Sequence, residues 1–191
     1  MSQEQSPGGA CFAQGTYILT KTGNVLIEEL RAGDMVATLT GGFAPVTWIG
    51  RRKIDFHTLS KAHASANRPV FIPQSSLADQ IPCCDLILSR CHAVLCRGLR
   101  PAGDLANGRE IYMMNDIDDI TYYHLELDAF DFIVANGLAV ESYRDAGNRH
   151  WFDNFADWLG EPAGAHPSPP RQDLGVLLEA AACLARPQAK S

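Results

Sequence analysis

Short apolar runs, broken at regular intervals by turn residues, fill residues 16–143 and constrain the fold of this chain more than any other feature. TYILT (16–20), NVLIEEL (24–30), MVATL (35–39) and PVTWIG (45–50) alternate or are β-branched, and glycine or aspartate separates them. CDLILS (84–89), HAVLC (92–96), TYYHLELD (121–128), DFIVA (131–135) and LAVES (138–142) repeat the pattern. Thr22-Gly23-Asn24 reads as a hairpin turn, and residues 30–34 as another, with Gly33 suited to positive φ. Asn136-Gly137 is the strongest hairpin signal, because a tight two-residue turn of this kind needs positive φ at both residues. Short strands at this spacing predict an all-β domain.

Residues 54–82 are less regular, and His57, His63, Ser65 and Asn67 suggest a long excursion from the sheet that ends at PVFIP (69–73). Beyond residue 145 the character changes. WFDNFADWL (151–159) carries apolar residues at helical spacing and predicts a short amphipathic helix. EPAGAHPSPPR (161–171) is a proline-rich linker, and DLGVLLEAAACLA (173–185) is a second helical pattern. The expected division is a short leader (1–10), an all-β domain (11–145) and a helical, proline-rich tail (146–191) whose apolar face packs on the domain or forms a homodimer.

The net charge of -6 leaves no footprint for nucleic acid, and Arg51-Arg52-Lys53 reads as a solvated strand end. The acidic group Asp116, Asp118 and Asp119 lacks the spacing of a calcium loop and reads as a polar turn. No apolar run approaches the ~18 residues of a membrane span, so no membrane partner is expected. The first ten residues have neither a basic start nor an apolar stretch, and the reduced cysteines expected at 11, 83, 84, 91, 96 and 183 agree with a cytoplasmic location. Export without a classical signal peptide is the alternative.

Three stretches carry possible chemistry. Gly9-Ala10-Cys11-Phe12-Ala13-Gln14-Gly15-Thr16, followed by VLIEELRAGDMVAT, resembles the opening of a hedgehog/intein (Hint) domain, in which a cysteine starts the domain and an I-E-[DE]-L-x-x-G-D segment follows. Leu88-Ser89-Arg90-Cys91-His92-Ala93-Val94-Leu95 is similar to the family's Thr/Ser-x-x-His block. Tyr123-His124-Leu125-Glu126-Leu127 and the run from Asp131 to Gly137 resemble the late block that closes the fold. The resemblance implies a horseshoe-like, pseudo-twofold fold and an activity, self-processing. The ending resembles a bacterial branch of Hint proteins, often stand-alone or attached to secreted repeat proteins.

What the resemblance implies chemically also makes physical sense. Cys11 would attack the carbonyl of Ala10 and convert the Ala10–Cys11 amide into a thioester. Thiolate is the competent nucleophile and is scarce at neutral pH, so a base must help. His92 is expected to protonate the departing nitrogen, Ser89 to hydrogen-bond the scissile peptide or orient His92, and His124 to help resolve the thioester. His124 stands where many inteins carry an aspartate and Asp131 where they often carry a histidine, so Asp131 is a further candidate.

Inteins end in His-Asn before Cys, Ser or Thr, whereas this chain has Val140-Glu141-Ser142-Tyr143. Asparagine cyclisation is therefore not expected, nor is splicing. The expected partners are the chain's own leader as substrate and water, a thiol or an amine as nucleophile, with no cofactor and no metal; cleavage would release a decapeptide. Three alternatives stay open: a catalytically silent Hint module that binds or scaffolds, a zinc site drawn from Cys83, Cys84, Cys91, His92 and Cys96, and a cysteine hydrolase acting in trans through Cys11 and His92.

Overall fold

The computed structural model describes residues 9–40, 42–145 and 147–158. The strands are β1 (Phe12–Ala13), β2 (Tyr17–Thr20), β3 (Gly23–Leu26), β4 (Met35–Thr38), β5 (Gly42–Asp55), β6 (Pro69–Ile72), β7 (Leu86–Ser89), β8 (Ala93–Leu95), β9 (Leu99–Pro101), β10 (Tyr112–Met113), β11 (Asp119–Leu127), β12 (Phe132–Ala135) and β13 (Leu138–Glu141). They join one curled antiparallel sheet in the order β10-β6-β7-β1-β11-β5-β4-β2-β12-β13-β8-β9, with β3 on β2. The domain is all-β, as the spacing predicts. Asn136 and Gly137 take φ of 46° and 80°, the geometry that lets β12 turn directly into β13.

β5 holds the two halves together. Its first residues pair with β4, Pro45 opposite Met35, and from Val46 to Asp55 it pairs with β11. The basic run expected at a strand end lies inside this strand. Alternation explains it: Arg51 and Lys53 face outward, while Arg52 is half-buried and Ile54 buried. The main core gathers Ile18, Val36, Val70, Leu88, Leu125 and Ile133 from both halves. Two satellites matter for the site: Cys11, Ile54, Phe56 and Tyr122 form one, and Trp48, Tyr143 and Phe152 the other.

The excursion from the sheet contains one helix, α1 (Lys61–Asn67), capped by Ser60, whose hydroxyl accepts from His63 N. Residues 151–158 do not form the expected amphipathic helix. Only two single 3-10 turns form here, Arg149–Trp151 and Phe155–Asp157. Side chains from this segment bond to β5 instead: Asp153 Oδ2 accepts from Lys53 N at 2.8 Å, and Asn154 Oδ1 accepts from Arg51 N at 2.7 Å. Asp and Asn compete with a helix in this way by offering the backbone other partners. Residues 147–158 thus form a strap across β5. Residue 159, the linker and the second helical pattern, with any pairing of chains through it, lie outside the described residues.

Candidate active site

Strand register builds the site. β1 is threaded between β11 and β7, with Phe12 opposite both Tyr123 and Leu88. In an antiparallel pair the partner index falls as the residue index rises. One residue back from Phe12, Cys11 therefore meets His124 on one side and Ser89 on the other. A turn closed by His92 N donating to Ser89 O returns His92 to the same place. All four are buried: Cys11 6% exposed, Ser89 2%, His124 3% and His92 not at all.

Their contacts are specific. Cys11 N, the nitrogen of the Ala10–Cys11 bond, donates to Ser89 Oγ at 2.9 Å, and Ser89 Oγ donates to Gly9 O at 2.8 Å. One hydroxyl thus spans the half-buried Ala10. Cys11 Sγ lies 2.5 Å from His124 Nε2 and 3.2 Å from Gly9 O. His92 Nδ1 sits 3.0 Å from the Cys11 carbonyl, and its Nε2 sits 3.0 Å from the Glu141 carbonyl. The histidine expected on the scissile nitrogen is therefore on the carbonyl of the same residue, and Ser89 holds the nitrogen.

Burial sets the charges. It pushes the Cys11 thiol up to about 12, against the Ser89 hydrogen bond and the Arg52 charge, which pull it down. Burial also holds His124 well below its ordinary value, helped by the charges of His92 and Arg52. His92 is lowered for the same first reason, although the Glu141 charge and the two carbonyls oppose it. A thiol and a neutral imidazole therefore face each other. His124 Nδ1 is buried without a hydrogen-bond partner, and its ring packs edge-on against Tyr143 and Phe152. A neutral His92 carries one N–H for two carbonyls, so a second proton on it would meet an acceptor already in place.

Asp131 is not brought into this group. Its carboxylate accepts from Thr40 Oγ1 and from Phe132 N at the start of β12, and its main chain bonds to Ser142. Its polar contacts are those of a strand-end cap. Among the described residues no three His, Cys, Asp or Glu side chains are grouped to hold a metal ion. Cys96 packs partly buried against the main core.

The sequence reading missed the second ring of the site. Arg52 from β5, Asn148 from the strap and Gly9 line the cleft beside Cys11, together with Phe152. Only Arg52 left a signal, as the inward position of an alternating charged run. The strap is fixed from behind by buried Arg149, which forks onto the Glu126 carboxylate and donates to Asp145 Oδ2 at 2.9 Å. The separations from Asp145 and Arg149 back to Glu126 leave no local pattern in the chain.

Comparison with known proteins agrees with this architecture. A bacterial intein-like domain from Clostridium thermocellum superposes with a TM-score of 0.53 at 19% identity, covering 71% of this chain and all (100%) of that one. A DnaB intein from Synechocystis sp. PCC 6803 gives a TM-score of 0.49 at 11% identity, covering 71% of this chain and 99% of its own. The gp41-1 intein gives 0.48 at 18% identity, covering 70% and 98%. No curated protein matches the chain. The Hint domain family matches residues 10–147, most of the chain and all of the strands described above, and the chain belongs to this hedgehog/intein family of self-processing domains.

Proposed function

We propose that the chain cleaves itself at the Ala10–Cys11 bond by an N-to-S acyl shift, and that water, a thiol or an amine resolves the thioester without splicing. The observation that carries this reading is the contact of Cys11 Sγ with His124 Nε2 while Ser89 Oγ holds the nitrogen of the same peptide bond. As sulfur attacks the Ala10 carbonyl carbon, His124 takes the thiol proton. The S–C bond forms, the C–N bond breaks, and the Cys11 nitrogen needs one proton to leave as an amine. His124 returns the proton it took, with the Ser89 hydroxyl turning from acceptor to donor on that nitrogen. His92 keeps the Cys11 carbonyl oriented and is the second acid near the bond. Water adding to the thioester then gives a carboxylate at Ala10 and frees the Cys11 thiol.

The absence of splicing in this reading is supported at the end of β13. Glu141 and Ser142 supply no side-chain amide to cyclise, and the next two nitrogens are bonded within the fold, Ser142 N to Asp131 O and Tyr143 N to Leu125 O.

Intact-mass spectrometry with and without dithiothreitol, beside Cys11→Ala, tests the proposal. The expected result is loss of residues 1–10, faster with thiol and absent in the variant. A full-length mass in every sample overturns it and leaves a Hint fold that binds or scaffolds.

A further inference from the structure

The wall that faces Gly9 belongs to the reacting pair itself. A Cβ placed on Gly9 would lie 3.1 Å from His124 Cε1 and 3.3 Å from Asn148 Nδ2, both inside ordinary van der Waals contact. Neither neighbour retreats freely. The His124 ring is wedged against Tyr143 and Phe152, with centroids 5.2 and 4.5 Å away. Asn148 Oδ1 accepts from Tyr143 Oη at 2.6 Å. The Gly9 carbonyl accepts from Ser89 Oγ and lies 3.2 Å from Cys11 Sγ, so residue 9 cannot swing away without losing both contacts.

We infer that residue 9 is a specificity-determining position for the self-cleavage proposed above: the site takes glycine at the second position before the nucleophile and excludes a side chain there. The inference rests on that reading of function. A Cβ at this position displaces the imidazole from the sulfur, so the penalty falls on the rate of the acyl shift. Residue 9 itself lies outside β1 and outside every apolar cluster described, so no strand or core contact is made by its own side chain. The substrate class this defines is a polypeptide segment ending in Gly-Xaa before the cysteine, with the wall supplied by β11 and the strap.

The test follows thiol-induced cleavage by intact mass in Gly9→Ala, Gly9→Val, Asn148→Ala and the double variant Gly9→Ala/Asn148→Ala. Gly9→Val is expected to slow cleavage on the order of 100-fold and Gly9→Ala by a smaller factor, with melting temperatures like the parent's. Removing the Asn148 side chain is expected to recover part of the Gly9→Ala loss, a coupling that closes the cycle with a non-zero interaction. Equal rates for Gly9→Val and the parent overturn the inference. A parent that does not cleave overturns the proposed function instead, and the subsite is then read from the imidazole nitrogen resonances of His124. These are expected to move in Gly9→Val; unchanged resonances overturn the subsite.

Discussion

The carbonyls of Cys11 and Glu141 meet across a single imidazole, yet the peptide bond before Cys11 and the one after Ser142 are held in opposite ways. His92 reaches both regions, with Nδ1 on the Cys11 carbonyl and Nε2 on the Glu141 carbonyl, each at 3.0 Å. At the first bond the nitrogen donates to a hydroxyl, and a thiol and an imidazole stand beside it. At the second, the Tyr143 nitrogen donates to the main-chain carbonyl of Leu125, and the chain runs on into a strap anchored by Arg149. A hydroxyl can rotate and reverse its role when an amide nitrogen becomes an amine. A main-chain carbonyl has no proton to give. On the proposed function, the contrast is between a bond arranged for exchange and one arranged for permanence.

The contrast can be broken most severely at His124. His124→Ala removes the base from the first bond and is expected to slow cleavage by roughly 10²–10⁴-fold, read by intact mass against time, while the strands keep their circular dichroism. A smaller effect sharpens it through pH. The Cys11 thiol is raised from 9.0 to about 12 in the fold. Above pH 9 the unfolded chain loses this proton and the folded chain keeps it, so stability contributed by the buried thiol is complete below pH 9 and declines as pH rises toward 12. Urea unfolding of the parent is expected to weaken more steeply than that of Cys11→Ala in this window, by up to about 1.4 kcal/mol per pH unit. The smallest expected effect lies at the second bond. Ser142→Asn supplies the cyclising side chain but leaves the Tyr143 nitrogen bonded to Leu125, and no fragment beginning at residue 143 is expected in the mass spectrum. Its appearance would show that the residue type alone, rather than the bonding around it, separates the two bonds.

Much of the fold could be read from alternation and turn chemistry, and the exceptions have physical causes. β1 and β10 have two residues each and β9 three, too short to carry a period, so the strand that places the nucleophile left no trace of its own. Cys11, Ser89, His92 and His124 were found through ordered blocks of resemblance; that they meet follows from a register no local pattern encodes. β5 was cut short because charge at Arg51, Arg52 and Lys53 hid an alternation that continues to Asp55. Trp151, Phe152, Phe155 and Trp158 do have helical spacing, but Asp153 and Asn154 between them bond to β5, and long-range bonds outweighed a local preference. Asp131 stands out only by its place in a block, and its carboxylate serves the start of β12.

The position of β1 has a further consequence. The sheet's first rung is at Phe12, one residue past the bond that would be cut, and the Cys11 carbonyl remains tied to Ser89 N whatever happens on its amino side. Severing that bond removes no rung from the ladder. On the proposed function, what is discarded holds no strand pairing that the domain keeps, so a domain that acted once on itself would remain standing, marked only by an aminothiol at its new beginning.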